Sequence, residues 1–382
     1  MAQEVIVVGA SARAAAWSAL RAGFTAWTAD LFADRDLCRV ASAITVAPQD
    51  YPLGLVRALH DAPVFPWLYT GALENRPGLI EEISRRLPLW GNGPEVLRRV
   101  RSPFRLAESL CKAGLPSPAV ARIGDTTRRW LMKPFASAAG RDIEFWHSPQ
   151  QVGPRHYLQE WIDGVPCAAA FLGRADGTAQ LIGVTRQLIG ADWGEKGRPF
   201  CYRGSVGPLP LAAEQRDVYQ RLGNALVRDI GLRGLFGVDC VVRDEVPWTV
   251  EVNPRYTASM EILEWAGHLP LLAWHAAEFC SRAVDLSAPP VCGSFLGKAI
   301  AYADHPGVFP EDGPWNEVLA NPWLPWEMPA YADIPRPGQQ FEAGQPVITV
   351  FAKGDSVDEC IRRLQEHASR FLRLAFASSS ER

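Results

Sequence analysis

The sequence predicts an α/β unit built on a doubly wound parallel sheet, followed by an α+β unit built on an antiparallel sheet. Two patterns predict it. Over residues 1–95 short apolar runs alternate with helical stretches, as strand–helix–strand crossovers require. From about residue 120 to 280 strand-like runs succeed one another across mostly short turns, with one long helical stretch among them. The length of 382 residues suits roughly two or three domains of about 150 residues each.

The elements follow in order. "EVIVVG" reads as a buried parallel strand, and the Ala-rich "ASARAAAWSALRAG" as a helix that stops at Gly23. "FTAWTAD" is a second strand ending at Asp30, "VFPWLYTG" another, and "RPGLIEEISRRL" a helix. "SPFRLAESLCKAGLPSP" predicts a helix with Pro near its start and Gly114 at its end. "RRWLMKPF", "HYLQEWI", "CAAAFLG", "AQLIGVTRQLIG" and "GLFGVDCVV" read as strands, and "AAEQRDVYQRLGNALVRDIG" as the helix between them. In "DIPRPGQQFEAGQPVITVFAKG" the Pro-Gly and Ala-Gly pairs mark turns between strand-like runs. The last helix, "SVDECIRRLQEHASRFLRL", has Ser356 and Glu359 spaced as a capping box, and "ASSSER" after it reads as a frayed end.

Hydrophobic residues make up 48% and charged residues 21%, an ordinary globular balance, and the net charge of -3 gives no global basic field for nucleic acid or a membrane surface. The eight Cys form no C-x-x-C pair and no Cys/His zinc spacing. No apolar run reaches the roughly 20 residues of a membrane span. "VIVVGA" reads as a strand and not as an export segment, so the expectation is a reduced, cytoplasmic protein.

"VVGASARAA" sits where a strand meets a helix N-terminus, and Asp30 lies where a dinucleotide-binding enzyme keeps its ribose-binding acid. Gly9, Ser11 and Ala14 stand where that motif has three glycines, so nicotinamide or flavin binding is disfavoured. A close-packed turn is the plainer account; the sharper one has Ser11 and Arg13 facing a substrate anion.

"VDCVVRDEVPWTVEVNPR" carries two acids and an amide in an apolar hairpin. Centring the turn on Glu245 puts Asp239 opposite Glu251, Cys240 opposite Val250 and Val242 opposite Trp248. Val238, Cys240, Val242, Val250 and Val252 then share one face, and Asp239, Glu251 and Asn253 the other. Facing acids repel, and a hard cation bound to phosphate removes the conflict. A solvated outer sheet face accounts for the same pattern.

Together with its flanks this stretch resembles the metal-binding end of the ATP-grasp superfamily. "WLMKPFASAAGRDI" resembles that family's phosphate segment, "YLQEWIDGVP" its adenine hinge, and "GNGPEVLRRVRSPFRLAESLCKAGLPSPA" the helical lead into the domain. The order is the family's, and the resemblance covers roughly 1–280; the tail more loosely resembles biotin-carboxylase-type members. The implied fold is an ATP-grasp fold with a Rossmann-like pre-ATP-grasp domain at 1–95, the ATP-grasp domain at 96–285 and a small β-rich closing domain at 286–382.

The resemblance implies ATP and two Mg2+ ions, with Mn2+ a workable substitute. Lys133 would meet phosphate oxygens, Ser137 to Gly140 would form a lid over the terminal phosphates, and Arg141 would follow the lid. Glu160, Trp161 and Ile162 match the hinge. Relatives carry a further acid seven residues after the hinge Glu; Cys167 stands there, and Asp163 is the substitute at the ribose. Asp239, Glu251 and Asn253 match the metal ligands, and Arg255 would stabilise the transferred phosphoryl group. Relatives often place a second nucleotide-binding Lys on the leading helix; here the segment offers Arg101 and Arg105, with Lys112 later, and although Arg105 stands among the candidate cofactor-binding residues the choice between the two Arg is open.

On the substrate side Arg186 and Arg203 are carboxylate clamps or structural ion pairs, and Arg13 is the third candidate. Tyr202, Trp193 and Trp161 could form an aromatic wall. Glu74 and Asn75 either face the cleft or cap a helix, and His268 and His275 are packing or surface residues. The implied activity is ATP-dependent joining of a small-molecule carboxylate to an amine through an acyl-phosphate. Carboxylation by way of carboxyphosphate and ATP sensing without turnover are the alternatives. Neither nucleic acid nor membrane is an expected partner, and a homodimer is an open arrangement.

Overall fold

The structure is a computed structural model that describes residues 3–148, 150–190, 198–280, 293–321 and 324–376. The N-terminal elements are β1 (Gln3–Val8), α1 (Arg13–Arg21), β2 (Phe24–Asp30), β3 (Ala41–Thr45), α2 (Gly54–Ala58), β4 (Trp67–Tyr69) and α3 (Pro77–Ser84). The strands form a parallel sheet in the order β3-β2-β1-β4. α1 ends at Gly23, whose φ of +78° suits a residue without Cβ. β3 and α2 carry no sequence signal: β3 is a part-exposed edge strand, "ASAIT", without a continuous apolar run.

Next come α4 (Pro94–Val100), α5 (Pro103–Lys112), β5 (Val120–Ala121), β6 (Trp130–Pro134), β7 (Glu144–Trp146) and β8 (His156–Glu160). The four strands make a small antiparallel sheet, β5-β8-β6-β7. The chain then builds β9 (Val165–Gly173), β10 (Ala179–Ile189), β11 (Tyr202–Gly207), α6 (Ala213–Ala225), β12 (Gly234–Arg243), β13 (Val246–Asn253), α7 (Met260–Gly267) and α8 (Leu271–Ala277). The remainder holds β14 (Phe295–Tyr302), β15 (Gly307–Val308), α9 (Trp315–Ala320), β16 (Tyr331–Ala332), β17 (Gln340–Phe341), β18 (Pro346–Gly354) and α10 (Val357–Phe376).

β13-β12-β9-β10-β11-β14-β18-β16 is one antiparallel sheet of eight strands. β14, β18 and β16 therefore extend the central sheet, while β15 and β17 pair separately: β14 bonds to β11 from Gly204↔Ala299 to Gly207↔Leu296. Gly338 and Gly344, at φ +79° and +78°, make the turns read from Pro-Gly and Ala-Gly. At α10 Ser356 Oγ accepts from Glu359 N (3.1 Å), while Glu359 reaches back to Asp355 N (2.8 Å), one residue earlier than a capping box requires.

One core packs β1, β2 and α1 against α7 and α8, through Val5, Val7, Ala16, Leu263, Leu272 and Trp274. A second lies between α5, α6 and the β9–β12 face, around Phe171, Tyr219, Leu222 and Phe236. Ion pairs reinforce the first. Arg21 Nη2 meets Glu264 Oε2 at 2.5 Å, and Ser18 and Tyr256 also bond Glu264. Among the described residues no helix is long and apolar enough to cross a membrane.

Candidate active site

The β12–β13 turn is Asp244-Glu245, both with positive φ (51° and 64°), so its centre lies between the two residues. The ladder accordingly runs Arg243↔Val246, Val242↔Pro247, Val241↔Trp248 and Cys240↔Thr249, not Val242↔Trp248 and Cys240↔Val250 as a turn centred on Glu245 requires. A bulge then takes up Val250, and beyond it Asp239↔Glu251, Val238↔Val252 and Gly237↔Asn253 pair. Val238, Cys240, Val242 and Val252 face the second core, whereas Val250 lines a cleft beside Glu251.

Asp239, Glu251 and Asn253 lie together on the other face. Asn253 Nδ2 donates to Asp239 Oδ2 (3.0 Å), and Gln187 Nε2, from β10, donates to Asp239 Oδ1 (2.9 Å). Burial first, and the charge of Glu251 second, push the Asp239 carboxyl up to about 7. Burial also works against ionised Glu251, but Arg101 and then Lys133 outweigh it and hold that carboxyl below its ordinary value. Two acids and an amide on one face, one acid resisting ionisation through burial first and the charge of the other second, are a donor set that a hard divalent cation suits. Among the described residues no three His, Cys, Asp or Glu side chains cluster as a metal site, so the amide of Asn253 is needed to complete it.

Of this set Glu251 lines a cleft of about 520 Å³, open to solvent, between the small sheet and β13, and Lys133 and Arg101 line it too. Lys133 on β6 is 8% exposed; its Nζ donates to Gln159 Oε1 (3.0 Å), and Gln159 Nε2 donates to Val250 O (3.1 Å). The bulge thus leaves a carbonyl that orients the partner of Lys133. Arg101, at the C-terminus of α4, pairs with Glu251 Oε1 and reaches Phe135 O (3.4 Å). Arg255 Nη2 donates to Asn253 Oδ1 (3.1 Å) and to Glu74 Oε1 (2.8 Å), so Glu74 faces the site and does not cap a helix. Asn75 Nδ2 donates to Ser137 O (3.0 Å), tying the N-terminal domain to the loop after β6.

That loop turns at Ala139 and Gly140 (φ 57° and 73°), and Gly140 lies so close to Phe200 that a Cβ would overlap its carbonyl oxygen. Ser137 lines the cleft, and Arg141 is exposed. The hinge residues depart from expectation. On β8 the side chains alternate: Tyr157 and Gln159 face the cleft, so Glu160 points to the opposite face, where it accepts from Ala119 N (3.1 Å) beside Arg128 (3.8 Å). Trp161 N donates to Arg129 O (2.8 Å), and its ring packs edge-on against Phe145 (5.5 Å) and Phe200 (5.8 Å). Ile162 is buried, and Asp163 is exposed.

Several expected contacts lie elsewhere. Arg105, whose backbone N–H is capped by Ser102 Oγ (3.4 Å), is exposed, and Lys112 pairs with Glu108 (2.7 Å). Arg101, the other Arg the sequence offered, lines the cleft. Arg186 alternates with Gln187 and so leaves the Asp239 face; it approaches Asp358 (3.6 Å). Arg203 is buried over the Tyr302 ring (4.0 Å), and Tyr202 OH bonds Ser205 Oγ (2.8 Å). Trp193 lies outside the described residues. Arg13 meets no open pocket: it is 1% exposed and pairs with Glu261 and Asp333 (2.9 Å), near Asp36 (3.7 Å), and Lys298 completes the cluster on Glu261 (2.6 Å).

Asp30 is 0% exposed and accepts from Ala12, Phe32 and Ala33 N–H groups, and Gly9 has Thr70 in the space of a Cβ, which makes this a packed strand–helix turn. His275 is a buried link, accepting from Leu235 N (2.8 Å) and bonding Trp90 O (3.0 Å). Sequence reasoning missed Gln159 and Gln187. Strand alternation carried a signal for Gln159, two residues after Tyr157 on the cleft face; for Gln187 it was the neighbour of the residue chosen.

Comparison with known proteins agrees with this architecture. Residues 101–259 match the ATP-grasp domain family. An uncharacterized protein of Methanocaldococcus jannaschii is 21% identical over 77% of this chain and 72% of its own length. The carbamoyl phosphate synthase large chain of a Mycobacterium species (strain JLS) is 24% identical over 62% of this chain; the match spans 22% of that relative's length. The biotin carboxylase domain of Hydrogenobacter thermophilus 2-oxoglutarate carboxylase, solved as a dimer with MgADP, ADP and bicarbonate, superposes with a TM-score of 0.72 at 14% identity, covering 96% of this chain and 89% of that one. L-amino acid ligase from Bacillus licheniformis superposes with a TM-score of 0.66 at 14% identity, covering 95% and 96%.

Proposed function

This chain is an ATP-grasp protein, and from that premise we propose that it is an ADP-forming ligase that joins a carboxylate to an amine. The observation that carries the proposal is the acid–acid–amide face of Asp239, Glu251 and Asn253, whose Glu251 shares a cleft with Lys133 and Arg101 and whose Asn253 accepts from Arg255. ATP is the phosphoryl donor. Asp239, Glu251 and Asn253 hold the magnesium ions, which supply charge neutralisation at the phosphates. Manganese substitutes for them.

Lys133 binds phosphate oxygens as a point charge steadied by Gln159, and Arg101 exchanges its contact with Glu251 for phosphate. The loop of Ser137 to Gly140 covers the terminal phosphates. Arg255, already bonded to the Asn253 amide, steadies the carboxylate as it takes the γ-phosphoryl group. The carboxylate oxygen forms a bond to phosphorus, the bond to the β-phosphate oxygen breaks, and ADP leaves. The amine nitrogen then bonds the acyl carbon, releasing phosphate and a proton. Such chemistry rests on positioning and charge, so no nucleophilic triad is required.

Carboxylation through carboxyphosphate is the second reading, favoured by the likeness over 96% of the chain to a biotin carboxylase domain. A homodimer is proposed on the same likeness. The deciding experiment incubates the protein with Mg-ATP and a pool of amino acids and cofactor precursors and reads products by mass. Amide products with substrate-stimulated ADP formation support the ligase. Strict bicarbonate dependence replaces it with the carboxylase. ATP binding without turnover under any acceptor sinks both.

A further inference from the structure

The N-terminal domain brings an unusual set of buried polar atoms to Arg255. Glu74 is 2% exposed; its Oε1 accepts from Arg255 Nη2 at 2.8 Å, but its Oε2 is buried without a hydrogen-bond partner. The Tyr51 hydroxyl and Arg255 Nε are buried and unpartnered as well. The Tyr51 phenol is pushed up to about 12 by burial first and by the negative charge of Glu74 second, which places the two groups within each other's field. Glu74 sits in a short 3-10 turn, Leu73–Asn75, entered through Ala72 at φ +75°. At Gly71, just before it, the space of a Cβ is 3.6 Å from the Arg255 guanidinium carbon. Asn75 ties the same turn to the loop of Ser137 on the rim of the cleft.

A buried carboxylate oxygen without a donor costs about 1–3 kcal/mol or more, so its persistence asks for a ligand. Arg255 satisfies one half of Glu74, and the other half accepts only donors. An ammonium group brings that oxygen three N–H donors and a positive charge. Building on the ligase reading, we propose that Glu74 and Tyr51 form the seat of the attacking amine, and that the acceptor is a primary amine arriving as an ammonium ion, which passes one proton to Glu74 so that the freed nitrogen lone pair can bond the acyl carbon as phosphate leaves. Arg255 then stands between two stations. Its Asn253 side serves the activated carboxylate, and its Glu74 side serves the amine.

The test uses two small acceptors with the full-length protein, Mg-ATP and the carboxylate pool: methylamine, an ammonium ion near neutral pH, and hydroxylamine, a neutral nucleophile that traps acyl-phosphates without such a seat. Wild-type protein is expected to make both methylamide and hydroxamate from one carboxylate. Glu74→Gln, which keeps an oxygen for Arg255 but presents an N–H₂ group to the ammonium, is expected to lower the methylamide-to-hydroxamate ratio about tenfold. Tyr51→Phe, the second variant should Glu74→Gln fail to fold by circular dichroism, is expected to lower it about threefold. An unchanged ratio in a folded variant overturns the amine seat while leaving the ligase standing. Hydroxamate without methylamide from the wild type does the same. Neither product from the wild type removes the ligase reading and this inference with it.

Discussion

Asp239 and Glu251 face each other across the β12–β13 ladder, yet their carboxyl groups are driven in opposite directions, the first up to about 7 and the second below its ordinary value. The asymmetry has a structural cause. Arg101 pairs with Glu251, while Asp239 receives only amide donors from Gln187 and Asn253.

Glu251→Gln tests the metal face. ADP formation is expected to fall by about two orders of magnitude or more, because the exchange removes charge from the shared ligand set. The Arg101–Glu251 pair is partly exposed, 15% and 35%, so its loss is expected to move the melting temperature by no more than about 4 °C. Turnover within a few-fold of wild type in steady-state assays would count heavily against the metal assignment.

Lys133→Ala tests the phosphate side. The ammonium is buried and held by one neutral partner, Gln159, which leaves its charge available to a ligand. The expected outcome is a rise of about tenfold in the ATP dissociation constant, measured by calorimetry. Unaltered affinity contradicts the role.

Arg101→Ala and Arg105→Ala should separate cleanly. Arg101 touches Glu251 and Phe135 O inside the cleft, and Arg105 faces solvent. Loss of Arg101 is expected to cost about tenfold in kcat/KM for ATP, and loss of Arg105 less than about threefold. The reverse order would favour Arg105, the other of the two Arg that the sequence leaves open.

What could be read without coordinates was whatever depends on local period. The strand alternation around Asp239, Glu251 and Asn253, the Lys of β6, the helix stop at Gly23 and the cap at Ser356 all lie within a few residues of their signals. What could not be read was set by distant partners. Arg13 looked like an anion binder at a helix start, but its partners lie 248 and 320 residues away, at Glu261 and Asp333. Arg186 and Gln187 carry equal local signals, and only the packing of β10 decides which one meets Asp239. The bulge at Val250 left no mark in composition, and it preserved the Asp239–Glu251 pairing although the turn centre had been placed half a residue off.

Arg13→Met should behave as a stability variant. It strips a guanidinium from Glu261 and Asp333, and truncating one partner of a buried ion pair costs about 3–5 kcal/mol. The expected result is a clear drop in denaturant midpoint with little change in the KM for ATP. The opposite pattern would return Arg13 to the substrate side.

His275 supplies a pH dependence. Burial pushes its imidazole down to about 4, below its ordinary value near 6.5. Its contribution to stability is therefore whole above about pH 6.5 and is lost as pH falls through about 4, a change of about 3 kcal/mol. His275→Gln keeps an acceptor for Leu235 N and a donor for Trp90 O but does not titrate. Denaturation curves between pH 7 and 4 should fall less steeply for the variant; parallel curves would contradict the assignment.

The run of backbone bonds from β13 through β16 also dictates how the site can open. A hydrogen-bonded ladder does not pivot between its own strands, so β14, β18 and β16 and the strands that carry Asp239 and Glu251 form one rigid plate. The small sheet that carries Lys133 lies outside that plate: the chain passes from one to the other through Trp161 to Gly164, and among the contacts described above Gln159 donates to Val250 O, Gly140 packs on Phe200, and Asn75 of the N-terminal domain donates to Ser137 O.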